Sequence, residues 1–152
     1  MQTLTPDSVM ELPTSRLEEL FPLAEFFWKE GSLPGKFDPA VWLGTWHRFV
    51  DSGIGVVLGL EKDNRIIGAL GAIKYPDPND GAIIATELFW FVHPNHRGGG
   101  VLLLDRFEQW AAKSGCQRVT MVHLENSMPK VLGRFYRLRG YRPIETHYLK
   151  EI

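Results

Sequence analysis

Cysteine is almost absent: Cys116 is the only one in 152 residues. One thiol excludes an intrachain disulfide framework and a Cys-rich zinc site. It fits a reducing compartment, so a cytoplasmic location is expected. An excess of charge of one sign is lacking too. Seventeen Lys and Arg face eighteen Asp and Glu, a net charge of −1. That removes the electrostatic case for nucleic acid or an anionic membrane as the main partner. No apolar run is long enough to cross a bilayer. The stretch Met1 to Glu11 has no basic segment followed by an apolar one, so no signal peptide is expected. Repeats, low-complexity tracts and linkers are missing. The richest Pro/Gly/Asp cluster, Tyr75-Pro-Asp-Pro-Asn-Asp-Gly81, is short and reads as a loop between strands. With 44 % hydrophobic and 23 % charged residues, the chain suits one compact domain, residues 1–152, with a real core.

The first half reads as helical and aromatic. Ser15 can cap a helix running to about Lys29, kinked or split at Pro22. Asp38-Pro39 is a strong helix start, an acceptor followed by Pro at the first helical position. Trp42, Trp46, Phe49 and Val50 then recur at helical spacing. Strands follow over Gly55–Leu60, Arg65–Lys74 and Ala82–Val92, with Asp63-Asn64 as a hairpin turn. Short connections make these three an antiparallel meander. A helix from about Gly99 to Ser114 buries Leu103, Phe107, Trp110 and Ala111, and a strand over Gln117–Leu124 follows. This strand–helix–strand unit implies a parallel pair with a right-handed crossover. A helix over about Pro129–Arg139 and a strand over about Ile144–Lys150 complete the chain. The fold class is α+β: a central mixed, mostly antiparallel sheet with helices on both faces.

Three consecutive glycines, Gly98, Gly99 and Gly100, stand at a helix start beside Arg97. Each would cost about 1 kcal/mol relative to Ala in a helix interior. At the first turn the backbone N–H groups lack helical partners and the helix dipole is positive. Without side chains a phosphate can approach closely, and Arg97 adds a permanent cation. The turn suits a pyrophosphate, or it is a flexible loop with incidental glycines. It is neither a dinucleotide-binding fingerprint nor a Walker A loop.

The segment Phe91-Val-His-Pro-Asn-His-Arg-Gly-Gly-Gly-Val-Leu-Leu-Leu104 resembles the GNAT superfamily of acyl-CoA-dependent N-acetyltransferases. Its signature Q/R-x-x-G-x-G/A lies between the fourth strand and the next helix. Arg97 and Gly100 match its first two fixed positions, and Leu102 stands where Gly or Ala is usual. Downstream, Phe135-Tyr-Arg-Leu-Arg-Gly-Tyr141 resembles the family motif Y-x-x-x-G-F/Y. The resemblance covers about Ala82 to Tyr141. It implies acetyl-CoA as co-substrate and no metal. The cofactor would be held by Phe91 and Val92 through their backbone, by Arg97, Gly98, Gly99, Gly100, Val101 and Leu102, and by Asn126. Asn126 can equally be a helix N-cap.

Acyl transfer to an amine needs a base, an oxyanion donor, an acid for the thiolate and alignment of both substrates. The resemblance implies that Tyr136 is the acid; helical spacing alone reads it as a core tyrosine. Glu87 is a carboxylate in an apolar strand, where burial would raise its pKa into a useful range, and is the leading general base. An outward-facing or ion-paired Glu87 is the competing reading. His123 is the alternative base, or a structural histidine, and Glu125 a weaker one. His93 and His96 have no third ligand at a suitable spacing, so no metal site is expected.

The acceptor is not legible. Phe26, Phe27, Trp28, Phe37, Trp42, Trp46 and Phe49 belong to a region that walls the acceptor site in the family, yet most of them read equally as core. The expected activity is transfer of an acetyl or acyl group to a primary amine of a small molecule or a protein. The alternative is an acyl-CoA-binding sensor or interaction module without turnover. Homodimers are common in the family.

Overall fold

The structure, a computed structural model, describes residues 2–31, 33–124 and 128–152. It divides into two compact units, Met1–Val122 and His123–Ile152.

In the first unit a sheet of five strands has the order β1-β2-β3-β4-β5. The strands are β1 (Val9–Glu11), β2 (Gly55–Lys62), β3 (Arg65–Pro76), β4 (Ile83–Val92) and β5 (Arg118–Thr120). The first four pair antiparallel, and β5 runs parallel to β4. The hairpin β2–β3 turns at Asp63 and Asn64, both at positive φ, as a two-residue turn requires. A 3-10 turn, Thr14–Leu20, leads into α1 (Phe21–Glu30). The helix read from Ser15 is therefore two pieces, with Pro22 in the first turn of the second. α2 (Pro39–Asp51) starts as its sequence dictates: Asp38 Oδ1 accepts the Val41 amide at 3.1 Å, and Pro39 opens the helix. α3 (Gly100–Lys113) links β4 to β5.

Strand alternation sends side chains to two faces. On one, Val57, Ala69 and Phe91 pack with Leu17, Leu20, Ala24 and Trp46. There Phe27, Phe91 and Phe89 stack in succession at 5.1 Å centroid spacing, and Trp42 and Trp46 close on Phe89. On the other face Leu58, Leu60 and Leu70 are fully buried, as are Leu103, Leu104 and Phe107 of α3. The helices thus cover both faces; Trp46 is buried in the core, and Phe27, Phe37, Trp42 and Phe49 are half-buried against it.

The second unit contains α4 (Pro129–Leu138). Two strand expectations need correction. The strand expected over Gln117–Leu124 is only Arg118–Thr120, because β4 leaves it after one short stretch of pairing. The strand expected over Ile144–Lys150 does not form; Ile144, Tyr148 and Leu149 are exposed. A β-prone sequence needs a laterally bonded neighbour, and among the described residues its own unit contributes α4 and no strand.

Candidate functional site

Between β3 and β4 the register slips: Ala72 pairs with Glu87 and Gly71 with Phe89. Leu88 is the extra residue of a β-bulge, and its side chain is 48 % exposed in an otherwise well-covered strand. A bulge bends its strand and adds local twist. β5 pairs with β4 only from Ile84↔Arg118 to Thr86↔Thr120, while β4 continues to Val92. Among the described residues no strand lies against that flank of β4 beyond Thr86.

β5 is fastened where pairing begins. The Gln117 amide donates to Ile83 O at 2.8 Å, and Gln117 Oε1 accepts from the Ile83 amide at 3.0 Å. Arg118 bridges Asp77 at 2.9 Å and also contacts Asp80, both in the β3–β4 loop. Pairing ends on a hydroxyl bond, Thr86 Oγ1 to Thr120 Oγ1, at 2.7 Å.

Glu87 stands directly past that last rung and is 4 % exposed. Its Oε1 accepts the Val122 amide at 3.4 Å. Burial pushes its carboxyl up to about 8, and the Val122 amide pulls weakly the other way. The carboxylate is therefore buried, not outward-facing, and has no ion pair among the described residues. A group that exchanges its proton near neutrality and is held at the mouth of a strand gap suits proton transfer.

The glycine turn follows β4. The His93 amide donates to Ile67 O at 2.7 Å, and its Nδ1 accepts from the Asn95 amide at 3.2 Å. A 3-10 turn, Pro94–Gly99, runs into α3. The three glycines differ in what they allow. A Cβ on Gly99 would stand 2.5 Å from Leu60 Cδ2 and 3.0 Å from Leu4 Cδ1; one on Gly100 would stand 3.3 Å from the Trp90 ring. Both are buried, and packing explains both. Gly98 is exposed, and a Cβ there would meet nothing. None of the three has positive φ. The Gly100 amide donates to Arg97 O, so fewer first-turn donors face outward than a bare helix start would offer. Arg97 and Val101 are exposed, and Leu102 is half-buried. Phe91 and Val92 are buried at the end of β4.

In the second unit Tyr136 is buried on α4, with the Tyr141 ring at 5.6 Å and the Phe135 ring at 6.0 Å. Its carbonyl accepts the Arg139 and Tyr141 amides, which closes the helix after Leu138. His123 is exposed. Glu125 and Asn126 lie outside the described residues. The structure thus gathers Glu87, Phe91, Val92 and the Arg97–Leu102 turn along β4 and the start of α3. Leu88, Thr86, Thr120 and Val122 were not singled out by sequence. Among the described residues no three His, Cys, Asp or Glu side chains cluster as a metal site. None of the described helices is long and apolar enough to cross a membrane.

Solved structures share this fold. A predicted acetyltransferase of Clostridium acetobutylicum, crystallised with acetyl-CoA, superposes at TM-score 0.76 with 14 % identity, covering 94 % of each chain. A ribosomal-protein-alanine N-acetyltransferase of Brucella melitensis biovar Abortus 2308 gives 0.72 with 16 % identity, covering 95 % of this chain and 99 % of that one. A transcriptional regulator of Bacillus halodurans C-125 gives 0.78 with 18 % identity, covering 99 % of this chain and all of that one. No curated protein matches the sequence significantly. The sequence profile of the acetyltransferase (GNAT) family matches residues 17–141, and with four-fifths of its length inside that match the chain belongs to the GNAT acetyltransferase family.

Proposed function

We propose that residues 1–152 work as one N-acetyltransferase domain that moves the acetyl group of acetyl-CoA onto a primary amine by direct attack. The observation that carries this reading is Glu87, a buried carboxylate with no cationic partner among the described residues, at the point where β4 and β5 part.

The co-substrate fits the gap and the turn beside it. Strand backbone alternates its N–H and C=O groups between two flanks, and beyond Thr86 one flank of β4 has no neighbouring strand among the described residues. Backbone groups of Phe91 and Val92 there suit the amides of a pantetheine arm. The exposed edge of the turn at Arg97 and Gly98 suits the pyrophosphate, with the amides of Val101 and Leu102 in the first turn of α3. Gly99 and Gly100 serve this indirectly, by letting the turn sit down on Leu60 and Trp90.

Glu87 takes the proton of the attacking ammonium, directly or through a water. The freed amine nitrogen bonds to the thioester carbon, the C–S bond breaks, the CoA sulfur leaves as a thiolate, and the nitrogen gives up its second proton as the amide forms, which replaces the proton that Tyr136 donates. Tyr136 donates its phenolic proton to that sulfur; its support is the Tyr136–Tyr141 motif and its burial on α4. His123 is exposed and the weaker base. Reducing conditions suit the single thiol Cys116, and a cytoplasmic setting fits them.

Purified chain should release free thiol from acetyl-CoA when the correct amine in a broad panel is added. A melting temperature raised by acetyl-CoA with no amine turned over would mark a binding module instead. No thermal shift at millimolar acetyl-CoA would overturn both.

A further inference from the structure

The attachment of β5 to β4 is uneven. Backbone pairing runs over three rungs, Arg118 to Thr120, and Gln117 and the Arg118 ion pairs reinforce its start. On the last rung a side-chain bond, Thr86 Oγ1 to Thr120 Oγ1 at 2.7 Å, is added to the ladder. Thr86 Oγ1 also lies 3.4 Å from Tyr75 Oη, so three hydroxyls line up across β3, β4 and β5. Glu87 follows Thr86 directly, and Val122 lies two residues past Thr120. In a ladder that continued, the Val122 amide would meet β4 backbone; here it meets the Glu87 carboxylate.

We propose that Thr86 and Thr120 are positioning residues, whose hydroxyl bond is the last rung between β4 and β5 and holds the Val122 amide against the Glu87 carboxylate where the strands part. Its catalytic meaning rests on the reading of Glu87 as base. An ordinary cross-strand Thr pair would contribute to sheet stability and nothing more. This pair differs in its place. It is the final fixed point before a 3.4 Å bond that is long for an N–H···O contact and so is sensitive to small strand shifts. Backbone pairing ends on the same rung, so the hydroxyl bond is the contact added there beyond the ladder. Among the described residues no charged side chain acts on Glu87; burial and the Val122 amide are the influences upon it.

The test is a carbon-13 NMR titration of the Glu87 carboxyl in the full chain, assigned by its absence in Glu87→Gln. Thr120→Val keeps the shape of the side chain and deletes the hydroxyl. Its Glu87 midpoint should move upward by about half a pH unit, because an amide that favours the ionised form has been withdrawn. Thr120→Ser, which keeps a hydroxyl, should restore the wild-type midpoint. The acid limb of thiol release from acetyl-CoA should move with it. An unmoved midpoint in folded Thr120→Val, or a Ser variant that behaves like Val, overturns the proposal. Should Thr120→Val fail to fold, Thr86→Val removes the same bond from the other strand and is read the same way. Glu87→Gln with full turnover would sink the base reading alone, because the titration does not depend on activity.

Discussion

The Val122 amide donates to Glu87 Oε1 across 3.4 Å, and this bond joins the continuation of β5 to a buried carboxylate on β4. Two opposing influences meet there. Burial favours the neutral acid, and the amide favours the anion. Burial is the larger, so Glu87 sits near the pH at which a general base is most useful. The same imbalance makes the residue costly to the fold, and that can be measured without any acceptor.

Glu87 keeps its proton to about pH 8 in the folded chain, against an ordinary 4.5 when unfolded. Between those values the unfolded chain binds fewer protons. Stability is therefore complete at low pH and declines as pH rises through the folded value. Glu87→Gln cannot ionise and still accepts the Val122 amide. Its melting temperature should hold level between about pH 5 and pH 9 while the wild type falls. Thermal melts across that range decide the matter, and an equal decline in both proteins would place the titration on another group. Turnover of the variant should drop by roughly 10²–10⁴-fold.

The three glycines should separate on substitution. Gly99→Ala pushes a methyl into Leu60 and Leu4, and overpacking of this kind costs about 1–3 kcal/mol. Gly98→Ala meets open space and should leave the melting temperature almost unchanged. Its effect belongs to the ligand: the added methyl stands where a phosphate would approach, so acetyl-CoA affinity should fall. Calorimetric titration beside thermal melts gives both numbers. A Gly98→Ala protein that binds acetyl-CoA as tightly as wild type moves the pyrophosphate elsewhere.

Tyr136→Phe removes one hydroxyl from a buried ring and keeps its packing against Tyr141 and Phe135. If the phenol protonates the departing sulfur, kcat should fall by roughly 10²-fold with acetyl-CoA affinity nearly constant. Steady-state kinetics and a binding measurement together test this. An unchanged kcat would remove Tyr136 from the chemistry.

Much of this architecture was legible before the structure. Asp38-Pro39 and the Asp63-Asn64 turn are local signals, and each appears where its chemistry places it. Glu87 was legible because a carboxylate in an apolar strand demands a reason. The bulge at Leu88 was not. It depends on how β4 pairs with β3, and the apolar run Leu88 to Val92 looks the same with or without it. The purpose of the glycines was half legible. Their place at a helix start is in the sequence, but the contacts of Gly99 with Leu60 and Leu4 join residues far apart in the chain. Ile144–Lys150 shows the converse failure, a strand-like stretch whose propensity cannot supply a partner.

The bulge itself can be deleted. Glu87 and Leu88 together oppose Ala72, so removing Leu88 restores one-to-one pairing without a register change further along. Phe89 would still meet Gly71, and Phe91 would still meet Ala69. Their packing on Phe27, Trp42 and Trp46 would survive. The deletion should therefore fold and melt cooperatively, unlike most single-residue deletions inside a strand. A straightened β4 has less reason to leave β5 after Thr86, and the gap should narrow. The expected result is a folded protein in which acetyl-CoA no longer raises the melting temperature. If the thermal shift persists at wild-type size, the bulge does not hold the strands apart, and the divergence of β5 comes from its own chain after Thr120.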